Sequence, residues 1–154
     1  MFIIIIIIII IIIDVDKANM AHSQIQKVEA NVHIKASAEQ FHDVLCNRTH
    51  HIANIFPKVN GVLRDPSSPG TIYTEVVESI DKEKNKTDFK VIDGDLLKHY
   101  KNFKFIVQAT PKEDGSVVNW VMEYEKQNSH TPDPYTLLEL GIEMTKEIGA
   151  YLTK

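Results

Sequence analysis

The chain has 154 residues, 44% of them hydrophobic and 25% charged, with six Gly, six Pro and a single Cys. This size and balance fit one globular domain and exclude a disulfide scaffold, because Cys46 has no second cysteine to bridge; a reducing compartment is expected. The net charge of −4, from 17 basic and 21 acidic side chains, argues against a nucleic-acid binder, which would be strongly basic.

Met1 and Phe2 lead into an unbroken isoleucine run from Ile3 to Ile13. The run is too short for a membrane span, which needs about 20 apolar residues. It also lacks the basic flank and small-residue cleavage site of a secretory signal, since Asp14-Val15-Asp16-Lys17 follows it. A homopolymer carries no period to select a buried face, although it combines high β-propensity with no charge. Residues 1–22 are therefore read as an extension outside the domain, with Met20 as an alternative start, and residues 23–154 as the domain.

From Lys27 to Lys35 apolar and polar residues alternate, which predicts a half-buried strand with Val28, Ala30, Val32 and Ile34 on one face. Ser37-Ala38-Glu39-Gln40 predicts a capping box that opens a helix with Phe41, Val44 and Leu45 on its apolar side. A second short helix is expected from Thr49 to Ile55, stopping before Pro57. A strand over Val59 to Arg64 and a turn over Asp65 to Gly70 follow.

Thr71 to Ile80 is β-branched and strand-like, Asp81 to Lys86 is a charged hairpin turn, and Thr87 to Ile92 is a strand broken at Asp93-Gly94-Asp95. Phe103, Phe105, Val107 and Ala109 alternate, and Glu113-Asp114-Gly115 turns the chain back. Val118, Trp120, Met122 and Tyr124 then alternate in what is expected to be the longest strand. Asp133 is expected to cap, and Pro134 to open, a long amphipathic helix through Leu137, Leu138, Ile142, Thr145, Ile148 and Leu152. The fold class is α+β, an antiparallel meander packed on a C-terminal helix.

Several strings in this order resemble one family. They are His50-His51-Ile52-Ala53-Asn54, Lys58-Val59-Asn60-Gly61-Val62, the stretch from Phe89 to Leu97, Tyr100-Lys101-Asn102-Phe103, Glu123-Tyr124-Glu125-Lys126, and Asp133-Pro134. From about Lys27 to Leu152 the chain resembles the major latex protein branch of the birch-pollen-allergen, or pathogenesis-related class ten, family of plants. The resemblance implies a helix-grip, START-like fold: a curved antiparallel sheet closing around a long C-terminal helix, with an apolar cavity between them. It also implies reversible binding of small hydrophobic molecules such as sterols, fatty acids, phytohormones and flavonoids, in defence and stress responses.

The chain departs from that pattern where Thr71-Ile72-Tyr73-Thr74 runs straight into Glu75. About one hairpin, on the order of 15 residues at usual strand lengths, is missing there, so about one strand of the family's seven is expected to be absent and an edge newly exposed. The loop from Asp65 to Gly70 holds one glycine and two prolines, so it gives no support to a phosphate cradle.

A cavity for an apolar guest needs an apolar lining with a few polar anchors. The expected lining is Phe89, Val91, Phe103, Phe105, Trp120, Met122 and Tyr124 from the sheet, with Leu138, Ile142 and Thr145 from the helix, and Tyr124 and Thr145 as polar anchors. Such an aromatic stripe is, by itself, more often plain core.

His42 and Cys46 are spaced to share a metal but lack further ligands, and adjacent His50 and His51 diverge on a helix, so no metal or other cofactor is expected. The last strand's inward positions carry no Lys, Glu or Asp, which leaves general acid–base catalysis as the minority reading. Asn47-Arg48-Thr49 and Asn85-Lys86-Thr87 match glycosylation sequons, which are silent in the cytosol. The sequence thus points to a monomeric, cytoplasmic, non-enzymatic carrier of small hydrophobic molecules with no nucleic-acid partner and no membrane span. An enzyme of the same fold and a non-functional truncated product are the alternatives.

Overall fold

The computed structural model describes residues 24–48, 52, 55 and 73–154. Alternation makes the first strand as expected: β1 (Gln26–Ile34) buries Val28, Val32 and Ile34 and turns Glu29, Asn31 and His33 outward. Ser37 then caps α1 (Ala38–Asn47). The Gln40 amide donates to Ser37 Oγ at 3.1 Å, and the Ser37 amide donates to Gln40 Oε1 at 3.2 Å, so two otherwise orphaned donors are satisfied. Phe41, Val44 and Leu45 form the buried side of this helix.

Ile52 and Ile55 are helical and pack half-buried against the core. The rest of the Thr49–Ile55 helix, the Val59–Arg64 strand and the Asp65–Gly70 turn lie outside the described residues.

The next two strands, β2 (Tyr73–Asp81) and β3 (Lys86–Gly94), pair through a tight connection in which Asn85 takes φ 50°, a left-handed conformation that asparagine tolerates. β3 ends at Gly94, whose φ of 109° needs glycine. A single helical turn, α2 (Leu96–His99), follows; at four residues it is too short to leave a periodic trace in the sequence. β4 (Tyr100–Lys112) and β5 (Gly115–Lys126) form the central hairpin. β4 has 13 residues and β5 has 12, so the strand through Trp120 is not the longest; β4 is extended by Tyr100 and Asn102, which already pair with β5.

The final helix, α3 (Tyr135–Leu152), corrects one expectation. Pro134 is the capping residue and the helix starts at Tyr135, with no side-chain cap. The Asp133 carboxylate is engaged elsewhere: it accepts the Tyr124 hydroxyl at 2.5 Å and pairs with Lys126 at 3.0 Å.

The strands form one antiparallel sheet in the order β1-β5-β4-β3-β2. These five strands, among the described residues, are fewer than the seven that the resemblance implies. Cross-strand register sets whole rows of side chains on the inner face. One row runs Val28, Met122, Phe105, Phe89 and Val77; the next runs Ala30, Trp120, Val107, Thr87 and Ile80.

α3 packs on this face, and close approach is allowed by two glycines. A Cβ at Gly141 would meet the Trp120 ring at 3.2 Å, and one at Gly149 would meet Ile34 Cγ2 at 2.9 Å. The core therefore sits between α3, α1 and the inner face of the four strands β1, β5, β4 and β3.

Candidate ligand-binding site

The inner face places nine of the ten expected lining residues in the buried core: Phe89, Val91, Phe103, Phe105, Trp120, Met122 and Tyr124 on the sheet, and Leu138 and Thr145 on α3. Ile142 is half-buried and packs against them. The register of the β-strands brings the sheet residues onto one surface, and the turn-to-turn spacing of α3 faces Leu138, Ile142 and Thr145 toward it.

The polar groups of this interior are already coupled to one another. The Trp120 indole donates to Thr145 Oγ1 at 2.8 Å, and Thr145 in turn donates to the Gly141 carbonyl at 2.8 Å. Tyr124 donates to Asp133, and Tyr100 donates to the Pro132 carbonyl at 2.6 Å. Burial, reinforced by the bond to Asp133, holds the Tyr124 phenol far above its ordinary pKa, so it is a hydroxyl donor across the working pH range. Tyr124 and Tyr100 meet edge-on at 5.5 Å between ring centroids, and Tyr124 stacks on Phe103 at 6.0 Å, so this end of the interior is an aromatic cluster.

The opposite end is closed by α1, where His42, Cys46 and Thr87 meet. His42 Nε2 lies 2.8 Å from Thr87 Oγ1 and 3.3 Å from Cys46 Sγ, which itself lies 2.9 Å from Thr87 Oγ1. Burial pulls the His42 pKa below its ordinary value, which keeps the imidazole neutral. Among the described residues no three His, Cys, Asp or Glu side chains converge as metal ligands would.

The interior is least covered at β2. Bulges on both strands put Glu75 opposite Val91, Val77 opposite Phe89, and Ile80 opposite Thr87, so all three β2 residues belong to the inner face. Val77 is nevertheless 50% exposed and Ile80 45% exposed, whereas Phe89 beside them is 8% exposed. Glu75 stays open to solvent as a residue, yet the protein packed around its carboxyl raises the pKa to about 7. Sequence reasoning missed Glu75, because only the pairing with Val91 shows which way it faces. A separate shallow depression on the outer face, lined by Asn31, His33, Lys112, Glu113 and Val117, is polar and remote from this interior.

Comparison with known proteins agrees with this geometry. The profile of the Pathogenesis-related protein Bet v 1 family matches residues 68–154. MLP-like protein 43 of Arabidopsis thaliana is 37% identical over 151 residues, covering 86% of this chain and 96% of the relative. The chain spans about half, 47%, of MLP-like protein 28 from the same plant, at 35% identity over 90% of its own length.

Among solved structures, ginseng major latex-like protein 151 from Panax ginseng superposes with a TM-score of 0.73 at 25% identity, over 86% of this chain and all of that one. Norcoclaurine synthase from Thalictrum flavum superposes with a TM-score of 0.69 at 14% identity, over 84% of this chain and 87% of that one, a likeness of fold alone.

Proposed function

The chain belongs to the Bet v 1 family, in its major latex protein branch, and from that premise we propose that it binds and carries small hydrophobic molecules between the sheet and α3. The ligand class is that of sterols, fatty acids, phytohormones or flavonoids, held reversibly and without turnover by a monomer acting in the cytosol during defence or stress. The observation that carries this reading is the continuity of the inner face: the buried apolar lining at Phe89 and Val91 runs out onto exposed Val77 and Ile80, where a guest would enter. The acidic net charge disfavours nucleic acid as the partner. Among the described residues no helix is long and apolar enough to cross a membrane.

A thermal-shift panel of fatty acids, sterols and flavonoids tests it. A true ligand at a hundred times its Kd adds about 2.7 kcal/mol to the folded state and raises Tm by several degrees. A cooperatively melting protein that none of the panel stabilises would refute the carrier reading.

One observation favours a second reading, an enzyme of the same fold. Glu75, with its pKa raised to about 7, could exchange a proton with a guest at neutral pH. That reading requires turnover of a phenolic or alkaloid-type substrate that is lost in Glu75→Gln; binding without turnover refutes it.

A further inference from the structure

Where α1 meets β3, a thiol, an imidazole and a hydroxyl close a triangle. Cys46 Sγ lies 2.9 Å from Thr87 Oγ1 and 3.3 Å from His42 Nε2, and Thr87 Oγ1 lies 2.8 Å from His42 Nε2. We propose that Cys46 is a nucleophile with His42 as its base, and that this site adds covalently to apolar α,β-unsaturated carbonyl compounds. None of these side chains belongs to the lining expected for a carried guest, so the activity is independent of the carrier reading.

An activated thiol needs a base within hydrogen-bond reach and a third group that orients the base. The helix supplies the pair, because His42 and Cys46 are four positions apart on one face of α1. The Lys86 carbonyl supplies the third group by accepting a hydrogen bond from the imidazole. With that ring hydrogen committed, Nε2 is the lone pair directed at the triangle. Burial outweighs the Lys86 bond and holds the ring neutral, so the base is in its proton-accepting form at neutral pH.

The triangle also contains a proton path. Its hydrogens are satisfied when Cys46 donates to Thr87 and Thr87 donates to His42 Nε2, a relay from sulfur to nitrogen. The direct approach of Sγ to Nε2 is a second route.

The surroundings select the class of partner. His42 and Thr87 are buried, and Cys46 is half-buried. Phe41, Val44 and Leu45 form the buried side of α1, and Val107 is the cross-strand neighbour of Thr87. An uncharged enone suits this setting and the soft sulfur nucleophile. Sulfur bonds to the β carbon as the C=C π pair shifts toward the α carbon. The thiol proton passes to His42 Nε2, directly or through Thr87, and His42 returns a proton to the α carbon. The product is a thioether, no oxidant is consumed, and His42 and Thr87 end as they began.

Intact-mass and peptide-mapping kinetics of the full chain with pentyl vinyl ketone test the assignment. A single adduct is expected at Cys46, formed about ten-fold or more faster at pH 7 than in the same chain unfolded in urea. Cys46→Ser should give none, and Thr87→Ser, which keeps the hydroxyl, should keep the rate. His42→Gln should slow the folded chain about ten-fold, with Trp120 fluorescence confirming the fold.

The pH profile of the parent chain carries the test even if His42→Gln does not fold. The charged groups acting on His42 are Asp43 on α1, Asp81 at the end of β2 and Lys82 in the following turn. Carboxyl and ammonium groups ordinarily titrate far from neutrality, so a profile between about pH 7 and 8 reports the thiol and imidazole. Base catalysis by a neutral His42 makes the folded rate nearly flat there, whereas an unassisted thiol climbs almost ten-fold per pH unit below its ordinary pKa of about 8.5. A folded rate that climbs in that way, or one no faster than in urea, overturns the proposal and leaves Cys46 a structural partner of Thr87. An adduct that persists in Cys46→Ser overturns it as well.

Discussion

The inner face of the sheet is one surface with two different sides. Along the row Val28, Met122, Phe105, Phe89 and Val77, exposure is 8%, 0%, 4% and 8% across four strands and then 50% at β2. The chemistry of the row hardly changes; its cover does. Under α3 and α1 the side chains are core, and beyond Phe89 the same apolar pattern meets solvent. The difference shows that strand alternation establishes which residues share a face, whereas burial depends on what is packed over that face.

Substitutions should separate the two sides clearly. Phe105→Ala, on the covered side, is expected to cost about 3–5 kcal/mol in denaturant unfolding, whereas Val77→Ala in the same row should cost under about 1 kcal/mol. Equal losses would mean that β2 is covered as well. Gly149→Ala drives a methyl into Ile34 and should cost about 1–3 kcal/mol, read by the same unfolding curves. Thr145→Val leaves the buried Trp120 N–H without an acceptor, for an expected loss of about 1–3 kcal/mol and a change in Trp120 fluorescence. Tyr124→Phe removes one bond to Asp133 and should cost about 1–2 kcal/mol.

The smallest effect is a pH dependence at the α1 end. His42 has a lower pKa folded than unfolded, so the unfolded chain binds more protons as the pH drops below the ordinary value of 6.5. Its contribution is intact above that pH and declines as the pH falls below it toward the folded value. His42→Gln should flatten that limb of a plot of stability against pH. A change of equal size on the alkaline side would contradict the sign.

The residues also show where sequence reasoning reaches and where it stops. The Ser37–Gln40 capping box, the alternation of β1 and β5 and the period of α3 are local patterns, and the structure bears each of them out. Asp133 looked like a helix cap because Pro134 follows it; its real partners, Tyr124 and Lys126, approach from β5 and outcompete the helix amides. His42 meets Thr87 across 45 positions, which no spacing rule anticipates. At β2 the bulge between Val77 and Ser79 sets Val77 and Ile80, three residues apart, on the same face, where strict alternation would have opposed them. The residues expected on the inner face of β3, β4 and β5 share that face because alternation held there, whereas the facing of Glu75 depends on the irregular pairing of β2 and has no trace in the sequence.

Backbone amide NMR during titration of the full chain with a stabilising fatty acid, sterol or flavonoid tests the carrier account most directly. The account predicts that the largest shifts fall at Glu75, Val77, Ile80, Phe89 and Val91, where the apolar interior opens at β2. Shifts confined to the outer depression around Asn31, His33 and Lys112 would contradict it.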